Sequence, residues 1–201
     1  LGRIDPRLRN WKMYVNPFFW AIDENKELPS FVISFNKHNI HPSLKEILST
    51  GLALAEQMPD ASVIFNGPGR SIKEHAHFQG FFGSFPIENK PVMRGSDNLF
   101  AVKNWPVAHF VYQGRTKEEI LEASQKKLGE LADFGIQDNM IDLLFINRDE
   151  ILGVYVFPRL KRIPKGMEFG YGVPEMAGYD VVTEKDFALF NFSNKERAKI
   201  I

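Results

Sequence analysis

Apolar residues fall along this chain in two rhythms. From Phe31 to Phe35, Ala61 to Phe65, Ile141 to Ile146 and Leu152 to Phe157 they run nearly unbroken, in lengths that suit strands. Between the last two runs stands the polar turn Asn147-Arg148-Asp149-Glu150, which predicts a hairpin. Elsewhere the spacing is helical. Leu44, Ile47, Leu48, Leu52, Ala55 and Met58 recur on one face, and Ser43-Leu44-Lys45-Glu46 ahead of them is a capping box. Gly51 weakens that helix slightly. Thr116-Lys117-Glu118-Glu119 opens a second helix, with Ile120, Leu121, Leu128, Leu131 and Phe134 as its stripe and Gly135 as its stop.

The remaining segments are less regular. Residues 1–10 carry Arg3, Arg7 and Arg9 and read as a surface arm. Trp11 to Ala21 reads as a strand broken at Asn16-Pro17. Gly83 to Asp97 reads as a loop, and Leu99 to Trp105 and Val107 to Gln113 as strands meeting at Pro106, with His109 a structural residue in the second. Residues 158–180 form a long basic stretch, with Arg159, Lys161, Arg162 and Lys165; a loop of that length is either a functional lid or a solvated surface loop. A short helix is expected from Thr183. Strand and helix signals mix without repeats or linkers, so the expectation is one α+β domain over residues 1–201, its mainly antiparallel sheet flanked by helices.

Asn66-Gly67-Pro68-Gly69-Arg70-Ser71-Ile72-Lys73-Glu74-His75-Ala76-His77-Phe78-Gln79 stands out from this pattern. In an extended strand, alternate side chains share a face, so His75, His77 and Gln79 project together while Ala76, Phe78, Gly80 and Phe82 project behind. Three chemistries compete. A half-exposed strand could hold two of the chain's five histidines by chance. A cupin-like metal site would use Gly69 and His75-x-His77, but Phe81 and Phe82 stand where that motif wants a Glu, and two ligands are too few to close a site. The third is phosphorus chemistry. The Gly/Pro loop offers backbone N–H groups and the Ser71 hydroxyl to an anion, and Arg70 and Lys73 add charge.

Composition adds constraints. Charged residues balance at 25 basic and 25 acidic, which gives no general attraction to a nucleic-acid polymer or an anionic membrane. A small phosphate ligand needs only local charge. There is no Cys, which excludes disulfides and thiolate metal sites and fits a reducing compartment. Neither a leader-like segment nor a long apolar span stands out, so a cytoplasmic location is expected.

Asn-Gly-Pro, then Ser, then His-x-His-x-Gln resembles the signature of the histidine-triad (HIT) superfamily. The resemblance is to the branch holding galactose-1-phosphate uridylyltransferase, diadenosine tetraphosphate phosphorylase and the GDP-hexose phosphorylases, where Gln stands in place of a third His. It is sharp at residues 66–79 and faint over the rest of Trp11 to Phe187, where the Lys37-His38 segment before the first helix, the Pro158-Arg159 pair and the Pro174–Tyr179 stretch are similar. Arg70 and Lys73 depart from the branch, which has small or neutral residues there.

The resemblance implies a HIT-like fold and His77 as a nucleophile that becomes nucleotidylated, flanked by His75 and Gln79. Asn66, Gly67 and Ser71 would contact the phosphates; Lys73, by its charge beside the loop and not by the resemblance, and Arg159, of the Pro158-Arg159 pair, are further candidates for binding substrate. The donor would be a nucleoside-diphosphate sugar or a dinucleoside polyphosphate, and the acceptor a phosphate or sugar phosphate. No metal or other cofactor is required, and a homodimer would fit relatives that pair two such domains. A HIT-like hydrolase and a binding module without turnover are the alternatives.

Overall fold

The computed structural model describes residues 8, 10–15, 22–23, 26–27, 29–36, 42–67, 75–95, 99–133, 135–137, 140–159 and 172–178. Most of the expected arm, the helix from Thr183, His38, His41, Ser71, Lys73 and most of the 158–180 stretch lie outside them; of the arm, Leu8 is partly buried against the core instead of lying on the surface.

In chain order the strands are β1 (Trp11–Val15), β2 (Ile22–Asp23), β3 (Lys26–Glu27), β4 (Ser30–Phe35), β5 (Ala61–Phe65), β6 (His77–Phe82), β7 (Val92–Arg94), β8 (Leu99–Val102), β9 (Phe110–Gly114), β10 (Ile141–Arg148) and β11 (Ile151–Pro158). The helices are α1 (Leu44–Gln57), α2 (Lys117–Asp133) and the single turn α3 (Val173–Met176). Among the described residues nine strands form one sheet in the order β1-β4-β6-β5-β10-β11-β9-β8-β7, and every described pairing in it is antiparallel. β2 and β3 make a separate small hairpin. The fold is thus α+β. Among the described residues no helix is long and apolar enough to cross a membrane.

The two sides of the sheet follow from strand alternation. Leu143 and Phe145 of β10 join one buried cluster with Phe31, Ile33, Val63, Phe78 and the helix residues Ile47, Leu48, Leu52 and Ile120. Leu144 and Ile146, pointing the other way, join a second cluster with Ile64, Phe81, Phe85, Ile87, Tyr155, Phe157 and residues Val173, Met176 and Ala177. Helices α1 and α2 therefore cover one face, and short segments cover the other.

Local sequence chemistry sets most boundaries. The Ser43 side chain accepts from the Glu46 N–H, and the Glu46 carboxylate accepts from the Ser43 N–H at 2.8 Å, so the capping box forms as spaced. Gly51, which costs helix propensity, is required by packing. A Cβ there would lie 2.4 Å from the Phe145 ring, so the glycine lets α1 settle onto β10.

The β10–β11 hairpin turns through Asp149 and Glu150, both at positive φ (50° and 63°). Such paired left-handed positions favour Asn-Gly or Asp-Gly. Both side chains are exposed. Glu150→Gly is expected to raise stability by about 0.5–1 kcal/mol, the relief of left-handed strain less glycine's added unfolded-state entropy. A thermal melt checks it, and the midpoint should rise by a few degrees.

Three expectations need correction. Gly83 to Asp97 is not plain loop. Pro86–Asn89 is a 3₁₀ turn and β7 follows, ordered by pairing with β8 that local sequence does not announce. The two strands expected around Pro106 are shorter, because residues 103–109 form a bend between β8 and β9. His109 consequently precedes β9 instead of lying within a strand. Residues 173–176 of the presumed irregular stretch form α3.

His109 is nonetheless structural, with both ring nitrogens engaged. Nδ1 donates to Val107 O at 2.7 Å and Nε2 accepts from the Val102 N–H at 2.8 Å. Burial lowers its pKa below the ordinary 6.5, opposed by the Val107 hydrogen bond. A depressed folded value means that the stability is present above about pH 6.5 and lost as pH falls through the lower folded value. The stability gap between wild type and His109→Gln, followed by thermal melts across pH, should therefore narrow on acidification.

Candidate active site

β6 lies between β4 and β5, with His77 opposite Ser34, and with Gln79 opposite Val32 on one side and Ile64 on the other. Antiparallel partners share a face, so His77 and Gln79 stand on the side of Ile64 and Phe81, away from α1. Behind them Phe78 is wholly buried and packs against Trp11, Phe65 and Phe145 at ring-centroid distances of 4.9, 5.5 and 6.0 Å. Aromatic contacts of this kind contribute about 0.5–1.5 kcal/mol each beyond their buried area, so the strand is anchored from its rear face. Gly80 permits the close approach of β4 and β5. A Cβ there would meet the Phe31 ring at 2.5 Å and Ser62 O at 2.6 Å.

Two backbone carbonyls orient the imidazoles. Nδ1 of His75 lies 3.3 Å from Phe35 O, and the Phe35 N–H donates to Ala76 O at 2.9 Å, so one β4 residue holds the approach to β6. Nδ1 of His77 lies 3.2 Å from His75 O. A carbonyl oxygen can only accept, so each Nδ1 carries the proton, and in a neutral ring the lone pair is on Nε2. His77 is buried at 5% exposure, while His75 and Gln79 are half-buried.

The upstream corner is held on two sides. Asn66 Oδ1 accepts from the Val173 N–H at 2.8 Å, which ties the end of β5 to the start of α3. The Gly67 N–H donates to Asp142 Oδ1 at 2.6 Å. Asp142 Oδ2 pairs with Arg159 Nε at 2.5 Å, and the Arg159 N–H donates to Met140 O at 2.8 Å. Asp142 is fully buried and Arg159 is 7% exposed.

Of the residues singled out in the sequence, His75, His77 and Gln79 lie together at one end of the sheet. Asn66 and Gly67 close the neighbouring strand. Arg159, expected to bind substrate, is ion-paired with Asp142, and the Asn66 oxygen and Gly67 N–H are engaged by protein groups. Asp142 was missed. The available signal was a lone carboxylate inside the apolar run Ile141 to Ile146, since a charge in a central strand is rarely buried unless paired. Among the described residues no group of three or more His, Asp or Glu gathers as a metal site.

Neither the family models nor the curated proteins compared with this chain give a match. Among solved structures, the chain is similar to a DUF4931 family protein from Bacillus cereus. The likeness covers 94% of this chain and 93% of that one, at 10% identity and a TM-score of 0.49.

Proposed function

We propose that this chain is a HIT-like nucleotidyltransferase, acting on a nucleoside-diphosphate sugar or a dinucleoside polyphosphate through a nucleotidyl-His77 intermediate. The observation that carries this reading is the His77 Nδ1–H···O=C hydrogen bond to His75, on a strand whose register puts Gln79 on the same face. The motif Asn66-Gly67…His75-x-His77-x-Gln79 supports it.

In the first step, His77 Nε2 attacks the α-phosphorus. An N–P bond forms, the P–O bond to the leaving group breaks, and the leaving oxygen keeps the electron pair. The ring then carries positive charge, which the Nδ1–H bond to His75 O stabilises more strongly than it does the neutral ring. The Gln79 carboxamide donates to a non-bridging oxygen and offsets charge there. In the second step, an acceptor phosphate oxygen attacks the same phosphorus and releases the His77 nitrogen. A carboxamide cannot protonate a leaving group as a third His could. That favours donors with a stable phosphate leaving group and an acceptor other than water.

Intact-mass analysis after incubation with UDP-, GDP- and ADP-sugars and dinucleoside polyphosphates tests the reading. A covalent nucleotide is expected from the cognate donor, discharged by phosphate or a sugar phosphate. Discharge by water alone would identify a hydrolase. Saturable binding with no adduct and no consumption would identify a binding module and overturn the proposal.

A further inference from the structure

The Gly67 side of the corner is held by one member of a buried ion pair. Taking a carboxylate and a guanidinium out of water costs several kcal/mol per ion, and buried pairs can often be replaced by apolar residues at no net loss. Here the pair sits at the end of the sheet where β5 and β11 finish and β10 and β6 begin, the last with His77, and the second carboxylate oxygen, Asp142 Oδ1, accepts from the Gly67 N–H. β10 and β11 are locked to each other from Ile141↔Pro158 to Arg148↔Ile151, and Arg159 is fixed through Met140 O. The Asp142–Gly67 hydrogen bond thus extends the hold of the hairpin past the β5–β10 pairing at Leu143↔Phe65 to the corner itself. The guanidinium also has an electrostatic task. A bare carboxylate beside a polyphosphate site would repel the ligand, and Arg159 neutralises it.

Resting on the nucleotidyl-transfer reading, we propose that Asp142, neutralised by Arg159, is the positioning residue of this site. Through Gly67 it sets the corner where the chain leaves β5 relative to His77. Gly67 accordingly acts on the substrate indirectly, with its N–H committed to the protein.

Two double variants isolate that hydrogen bond, because both remove the ion pair and preserve net charge. In D142N/R159M the amide oxygen can still accept from Gly67. In D142L/R159M nothing at that position can. Single-turnover formation of nucleotidyl-His77, measured well below both melting temperatures, should be within about threefold of wild type in D142N/R159M and about a hundredfold slower in D142L/R159M, the loss expected from displacing a reacting geometry by about an ångström. Equal rates in the two doubles would mean that the pair is merely structural and overturn the proposal.

If wild type forms no adduct with any donor, the transfer reading fails by itself. The positioning role is then judged on the affinity of the same doubles for inorganic pyrophosphate. Binding about tenfold weaker in D142L/R159M than in D142N/R159M, a partial loss of the same positioning, supports it, and equal affinity overturns it. Should D142L/R159M not fold, ¹⁵N-labelled wild type decides. A Gly67 amide that stays protected from exchange at saturating pyrophosphate supports the proposal. One that leaves the carboxylate for the anion overturns it.

Discussion

His77→Ala is expected to abolish covalent nucleotide capture outright and to lower transfer by at least about a thousandfold, since a two-step displacement has no substitute for its nucleophile. The protein should remain folded. The His77 ring bonds to its near neighbour His75, and the strand is held from behind by Phe78 and on both edges by β4 and β5. The decisive measurement pairs intact mass with donor affinity. In the proposed mechanism the adduct vanishes while donor binding survives, because Gln79 and the Asn66–Gly67 corner stay in place. Undiminished turnover in His77→Ala would remove the nucleophile from the scheme. His75→Ala should act differently. His75 uses its own carbonyl, not its ring, to hold the His77 tautomer. That variant should therefore still form the adduct, only more slowly, as the ring hydrogen bond to Phe35 O is lost and the approach to β6 loosens.

What could be read in advance was whatever chemistry the chain keeps local. The Ser43–Glu46 box, the Ala61–Phe65 strand and the β10–β11 hairpin each depend on residues a few positions apart. The period of two that puts His77 and Gln79 on one face is a backbone property, so it too was visible. The hidden features depend on partners distant in sequence. β7 has little strand character of its own and exists by pairing with β8. Gly51 looked like a weakness in α1 until Phe145 was placed against it. Asp142 and Arg159 belong to the two arms of one hairpin, yet neither announced the other: one was an acid in an apolar run, the other a substrate-binding candidate at the head of a basic stretch. Their meeting follows from the register of the hairpin, and the capture of the Gly67 N–H from β5 pairing with β10, a choice of neighbour that periodicity does not encode.

At the opposite end of β5 and β10 a second ion pair carries a large expected effect on stability. Arg148, at the end of β10, donates through Nε to Glu88 Oε2 at 3.1 Å, through Nη1 to Pro59 O at 2.6 Å, and through Nη2 to Ser62 Oγ at 2.8 Å and Gly83 O at 2.7 Å. Glu88 Oε1 also accepts from Ser62 Oγ and the Phe85 N–H. One guanidinium thus joins β5, the end of β6, the 3₁₀ turn and β10. The Glu88 side chain is 4% exposed and that of Arg148 is 29% exposed, so water can reach the base but not the acid.

Arg148→Met should therefore strand a buried carboxylate. Breaking such a pair costs about 3–5 kcal/mol, and partial solvent access to Arg148 argues for the lower end, about 3 kcal/mol. For a chain of this size that corresponds to a melting point lower by about 6–12 °C.

The pH dependence gives the cause a signature. Burial raises the Glu88 pKa above its ordinary 4.5, and Arg148 opposes that rise. A raised folded value means that the stability tied to Glu88 is fully present below about pH 4.5 and is lost as pH climbs through the folded value. Without Arg148 the folded value rises further. The deficit of Arg148→Met should accordingly be small in acid and widen toward neutral pH, and adding Glu88→Gln should recover part of it. A deficit that is the same at every pH would mean that the lost carbonyl hydrogen bonds, and not the stranded carboxylate, set the cost. Because this clamp lies at the far end of β5 and β6 from His77, the variant, assayed below its melting point, should still take up nucleotide at the wild-type rate. Stability and chemistry would then separate along the length of the same strands.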